Sequence, residues 1–248
     1  MSVEPIYFGD RELFGIYRPP VPGVPARRHL VVICNAAFHE YFKIQFVARQ
    51  LSKELAGIGF DVLRFDYGGQ GNSGSDLAEF TWQEDLDAAL AEGVAISGAR
   101  HTSLIGIRVG ALLATNCDTP LHSLALWDPV TDGRSYVEQL RKVQERLLEA
   151  HRNRAGEGGR EVDEREILGS IVGDAMIAGL ERLRLDMTKA GSARRLVVLS
   201  QPDLRPALPP SVSEADIVEE PFVCQWELPS SRLLFAHGVI ARLKEFLQ

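Results

Sequence analysis

The strongest constraint on the fold is an alternation. Short, unbroken apolar runs alternate with stretches of helical periodicity along most of the 248 residues. The first run is Leu30-Val31-Val32-Ile33. Continuous runs of this kind suit strands buried on both faces of a parallel sheet. The pattern predicts strands over 29–35, 60–66, 101–106, 123–127, 194–199 and 216–223, after a hairpin-like start over 4–8 and 12–17. It predicts helices over 41–57, 81–97, 109–116, 134–151, 163–185 and 229–247. Phe42, Phe46, Leu51 and Leu55 mark one face of the first long helix. Thr81 with Glu84, and Asp163 with Glu166, have the spacing of helix-opening capping boxes.

Strands alternating with helices make an α/β protein with a doubly wound, mostly parallel sheet. One stretch breaks the rhythm, because two helices follow each other with no strand between them. An insertion there sits over the C-terminal edge of the sheet, where such folds bind ligands. Residues 134–186 are therefore expected to form a helical lid on a core of residues 1–133 and 187–248. An enlarged crossover or an oligomer interface fits the same pattern. Its charged residues, among them Glu138, Arg141 and Glu145, suit a solvated face. Val137, Leu140, Leu147 and Leu148 suit packing on the core or on a partner, and a homodimer is compatible with them.

A net charge of -7 argues against non-specific nucleic-acid binding, which needs a basic surface, but allows an anion in a local pocket. Cys34, Cys117 and Cys224 are too few and too far apart for a disulfide framework or a zinc site, and are expected to be reduced and buried. No two histidines have metal-ligand spacing, so neither metal nor cofactor is expected. No apolar stretch is long enough to span a bilayer and none resembles a signal peptide, so a soluble cytoplasmic protein without a membrane partner is expected.

Three local patterns fall in order on this scaffold. Asn35-Ala36-Ala37-Phe38 follows the first buried strand. Asp66-Tyr67-Gly68-Gly69-Gln70-Gly71-Asn72-Ser73 follows the next. Gly106-Ile107-Arg108-Val109-Gly110 joins a strand to a helix. Together they resemble the α/β-hydrolase superfamily, in its serine aminopeptidase-like branch, over nearly the whole chain. The third pattern resembles the G-x-S-x-G nucleophile elbow, and the first the loop that usually reads His-Gly and supplies an oxyanion-hole N–H. The run from Gly106 to Ala114, followed by Leu126-Trp127-Asp128-Pro129, is similar to the hydrolase-like proteins associated with bacterial exosortase systems, which also carry arginine at the elbow.

The elbow here holds Arg108 where serine, cysteine or aspartate would attack. A guanidinium stays protonated and has no lone pair to offer, so covalent catalysis from this position is closed. The resemblance places Asp203 at the acid position and leaves no histidine just after the last strand; His237, read as lying inside the closing helix, and His39, beside the oxyanion-type loop, are the nearest substitutes. The expected reading is a small anionic or acyl ligand held by Arg108 and the adjoining helix N-terminus, with Asn35, Ala36, Phe38, Val109 and Asp128 lining the site. Two alternatives stay open. One is an enzyme in which Arg108 stabilises charge while Asp203, His39 or His237 moves protons. The other is a pseudoenzyme whose Arg108 is plugged by an internal acid, for which Asp66, Asp128 and Asp203 are candidates.

Overall fold

The structure is a computed structural model and describes residues 3–155, 163, 165–221, 226 and 236–248. Its centre is an eight-stranded sheet. The first strands are β1 (Glu4–Phe8), β2 (Leu13–Arg18), β3 (His29–Cys34) and β4 (Asp61–Phe65). Then come β5 (His101–Ile107) and β6 (Ser123–Trp127). A small separate hairpin, β7 (Glu166–Ile167) and β8 (Ser170–Ile171), precedes β9 (Arg194–Leu199) and β10 (Ile217–Glu219). The order across the sheet is β1-β2-β4-β3-β5-β6-β9-β10. β2 pairs antiparallel with β1 and β4, and all later neighbours are parallel.

Helices cover both faces. α1 (Phe38–Ala56) and α6 (His237–Leu247) cover one, where Ile44, Val47, Leu51 and Leu55 meet Val239, Ile240 and Leu243 over Val31, Ile33 and Val62. α2 (Trp82–Ser97) and α3 (Val109–Thr115) cover the other, where Leu86, Leu90 and Leu112 pack on Leu30, Val32 and Leu104. β3 to β6 are buried on both faces, which is why they read as continuous apolar runs.

Between β6 and β9 lie α4 (Gly133–Ala155), the β7–β8 hairpin and α5 (Asp174–Arg182). No strand of the main sheet lies in this stretch, but the helix expected over 163–185 does not form as such. Leu168 and Gly169 turn the chain at positive φ and close the hairpin, so only Asp174–Arg182 is helical. The capping pair expected at Asp163 fails for the same reason: its side chain accepts the N–H of Arg165 in a turn. The box at Thr81 also differs, for Thr81 precedes α2 without a side-chain cap bond.

α1 departs from expectation as well. It starts at Phe38, not near residue 41, and Phe42 is 73% exposed. Ile44, Val47 and Ala48 take the buried face assigned to Phe42 and Phe46. Cys34 and Cys117 are free and buried, as expected; Cys224, residues 222–223 of the last expected strand and the expected start of the closing helix lie outside the described residues.

Candidate functional site

β5 ends at Ile107, and the chain turns within one residue into α3. Arg108 makes that turn with φ 55° and ψ -120°, a conformation L-residues rarely adopt. The two glycines allow it by close approach. A Cβ on Gly106 would stand 2.6 Å from the Ala111 Cα, and one on Gly110 would stand 2.2 Å from the Cys34 carbonyl oxygen.

The Arg108 side chain points into the protein and is 5% exposed. Its Nε donates to Oε1 of Glu40 at 3.0 Å, and Nη1 donates to the Asp128 carbonyl at 2.9 Å. Its Cζ lies 5.2 Å from the centre of the Trp226 ring. Glu40 is fully buried, and its Oε2 accepts the Tyr136 hydroxyl from α4 at 3.1 Å. Burial works against the Arg108 charge, but Glu40, Tyr136 and Asp128 outweigh it and the net shift is upward.

A second polar chain adjoins this pair. Asp128, fully buried just past β6, accepts the Ser200 N–H at 2.8 Å and the Trp226 Nε1–H at 2.8 Å. Its carboxylate also accepts the Ser200 hydroxyl. The Trp226 carbonyl in turn accepts from His39 Nε2 at 2.7 Å and from Lys43 Nζ at 3.1 Å. Burial lowers the His39 pKa against the pull of Glu40, so the ring is neutral at pH 7. With Nε2 donating to a carbonyl, Nδ1 is an acceptor, and it is buried without a partner.

The loop before α1 is closed from inside. Phe38, at φ 52°, directs its N–H to Oε1 of Gln70 at 2.9 Å. Gln70 belongs to the Asp66–Ser73 turn, which Ser73 ties together by donating its hydroxyl to the Asp66 carbonyl. The second sequence pattern thus caps the N–H that the first presents. Asn35 gives Nδ2 to the Phe65 carbonyl at 3.2 Å, and its buried Oδ1 has no partner. Ala36 packs in the core beneath α1, and Val109 on the α2–α3 side.

The structure therefore brings Arg108, Asp128, His39, Asn35 and Phe38 to one edge of the sheet. Asp203 is an exposed residue in the 3-10 turn Pro202–Ala207, and His237 is an exposed first residue of α6 and not an interior one; neither bonds to the Arg108 cluster among the described residues. The acid paired with Arg108 is not one of the three candidates. Asp128 contributes its carbonyl, Asp66 is taken by Tyr41 and Asn72, and the carboxylate comes from Glu40. Sequence reasoning missed Glu40 because the expected helix began three residues late, which left Glu40 in a loop. The signal was present: an acid in the first turn of a helix that follows the oxyanion-type loop.

At the opposite edge, His29, His101 and His122 cluster in tilted and edge-on contact, with ring centres 4.8 to 5.8 Å apart. Among the described residues no group of three or more His, Cys, Asp or Glu side chains is placed to hold a metal ion, and no helix is long and apolar enough to cross a membrane.

The strand order, the positive-φ elbow and the helices on both faces decide the architecture. The fold is that of the α/β hydrolases. A lid-less α/β serine hydrolase from Xanthomonas campestris superposes with a TM-score of 0.59 at 15% identity, over 100% of this chain and 93% of that one. The α/β hydrolase GrgF from Penicillium sp. sh18 gives 0.61 at 12% identity, over 100% and 98%. A soluble variant of monoglyceride lipase from Saccharomyces cerevisiae gives 0.57 at 14%, over 100% and 96%. No protein-family model matches the sequence, and no curated protein matches it. At these identities the likeness speaks for the fold and not for a shared activity.

Proposed function

We propose that this protein keeps the α/β-hydrolase scaffold without serine-type hydrolysis, its elbow locked by an internal ion pair. The observation that carries the reading is the buried pairing of Arg108 with Glu40. A catalytic elbow offers a nucleophile to a substrate; this one directs a cation to a carboxylate within the fold. The Phe38 N–H, which resembles an oxyanion donor by position, is spent on Gln70. In this reading the insertion is a fixed cap, since Tyr136 of α4 is bonded to Glu40. The protein is then a pseudoenzyme that acts by binding. The resemblance to exosortase-associated proteins supports arginine as an elbow residue in its own right and assigns no substrate.

A second reading keeps a small anionic or acyl ligand at the elbow. It is favoured by the two buried acceptors without partners, Asn35 Oδ1 and His39 Nδ1, which lie on either side of the Phe38 loop in sequence. An anion there would compete with Glu40 for Arg108. An enzyme using Asp203 and His237 as acid and base draws less support, because both are exposed and unconnected to Arg108 among the described residues.

The test is direct. Purified protein is treated with a fluorophosphonate probe and with short-chain p-nitrophenyl esters. Neither labelling nor turnover is expected. Turnover that disappears in Arg108→Ala or Asp203→Ala would overturn the reading. A thermal-shift screen of small carboxylates and acyl-CoA-like anions decides for the second reading if a ligand stabilises wild type and not Arg108→Ala.

A further inference from the structure

Another arginine is buried without an ion-paired acid. Arg64, on β4, is 7% exposed. Among the described residues its side chain makes no hydrogen bond and no ion pair, and its Nε is buried unsatisfied. The strand register gives its surroundings. Ile16 stands opposite Arg64 and Arg18 opposite Val62 on the antiparallel β2–β4 pair. Opposed residues share a face, so Arg18 and Arg64 are diagonal neighbours, roughly 7 Å apart, on the side that α1 covers.

α1 fixes the other wall. At one end Tyr41 donates to Asp66 at 2.9 Å, just beyond β4. At the other, Ser52 accepts from Arg18 Nε at 3.3 Å. Gln45 and Arg49 lie between them on the same stripe of the helix, which places both over the strand pair near Arg64. Gln45 Nε2 is also buried without a partner, and Arg49 is exposed and in no ion pair among the described residues. Asp66 is the nearest acid. Its oxygens accept from Tyr41 and from the Asn72 N–H, and it makes no ion pair with Arg64. Burial pulls the Arg64 pKa down; Asp66 and Tyr41 oppose this, and Arg18 and Arg49 add to it.

Three arginines and one amide thus lie along one seam between helix and sheet, with donors in excess and a single carboxylate, Asp66, beside three cations. An uncompensated buried charge is costly, and a fold retains one where something neutralises it. We infer that Arg18, Arg49 and Arg64, with Gln45, bind a dianionic phosphate group. Phosphate fits better than a carboxylate. It carries up to two charges and three acceptor oxygens, which bidentate guanidinium forks match, whereas one carboxylate would leave two of the three cations unpaired. Arg64 lies between helix and sheet, and of the three arginines only Arg49 is exposed, which favours a small soluble phosphomonoester over a lipid surface. The site shares no residue with the Arg108 cluster.

Isothermal titration with inorganic phosphate tests this, with glycerol phosphate and phosphatidate-containing phosphatidylcholine vesicles as parallel arms. Saturable binding of phosphate and glycerol phosphate is expected. Arg49→Ala, an exposed change that leaves the fold intact, should weaken it roughly tenfold, as loss of a charged hydrogen-bond partner does. Arg64→Met should abolish binding and raise the melting temperature of the ligand-free protein. Phosphate stabilisation that persists equally in Arg49→Ala is the general effect of a kosmotropic salt and would overturn the proposal. So would binding to the vesicles alone. If Arg64→Met does not fold, Arg49→Ala decides.

Discussion

At the residue scale, the turn at Arg108 rests on close approach and on an internal ion pair. Gly106 and Gly110 admit the tight turn, and Arg108 accepts the strained backbone that an elbow residue must hold. A backbone of this kind costs about 1–3 kcal/mol and persists where neighbours enforce it. Here the enforcing contacts are Glu40, the Asp128 carbonyl and the Trp226 ring. The glycines were legible in the sequence because only close approach explains them. The partner of Arg108 was not, because Glu40 is 68 residues away and looks like any acid in a first helical turn. Gly110→Ala is expected to destabilise the protein by roughly 3 kcal/mol, since its methyl would meet the Cys34 carbonyl, a backbone atom that cannot swing aside. Urea unfolding of the variant measures this, and an unchanged midpoint would show that the turn is looser than described.

At the scale of elements, most strands were readable because strands buried on two faces carry continuous apolar runs. Helices were readable in number and less so in facing. Phe42 and Phe46 have helical spacing with Leu51 and Leu55, yet the tertiary contacts of α1 chose Ile44 and Val47. The stretch between β6 and β9 was least legible, because two residues at positive φ make a hairpin that periodicity does not reveal. α4 is joined to the core through chemistry as well as packing: Tyr136 is fully buried and donates to Glu40, while Val137 and Leu140 fill the apolar cluster. Tyr136→Phe keeps the ring and removes one donor from a buried carboxylate. A loss of about 2 kcal/mol is expected by denaturant titration, the worth of a hydrogen bond to a charged group. No loss would mean that α4 does not support the ion pair.

At the scale of the whole molecule, the sheet separates two polar edges. The C-terminal edge holds the Arg108 network; the N-terminal edge holds the three clustered histidines. Burial, helped by His122, His101 and Arg27, lowers the His29 pKa from 6.5 to about 4. The unfolded chain therefore takes up this proton first as pH falls. Stability is fully present above pH 6.5 and declines as pH drops toward 4, by roughly 3 kcal/mol from this one group. The buried Asp61, Asp66 and Asp85, whose pKa values burial raises, act in the opposite sense. His29→Gln isolates the histidine contribution: the difference in unfolding free energy from wild type should change between pH 7 and pH 4, and a constant difference would contradict it. The central claim is that the elbow position now serves an internal ion pair. A double-mutant cycle on Arg108 and Glu40, each changed to methionine, tests it most directly. Each single change should cost about 3–5 kcal/mol by stranding a buried charge, and the double variant should recover most of that loss. Additive losses, or an Arg108→Met variant as stable as wild type, would show that Arg108 and Glu40 are not each other's partners and would contradict the account.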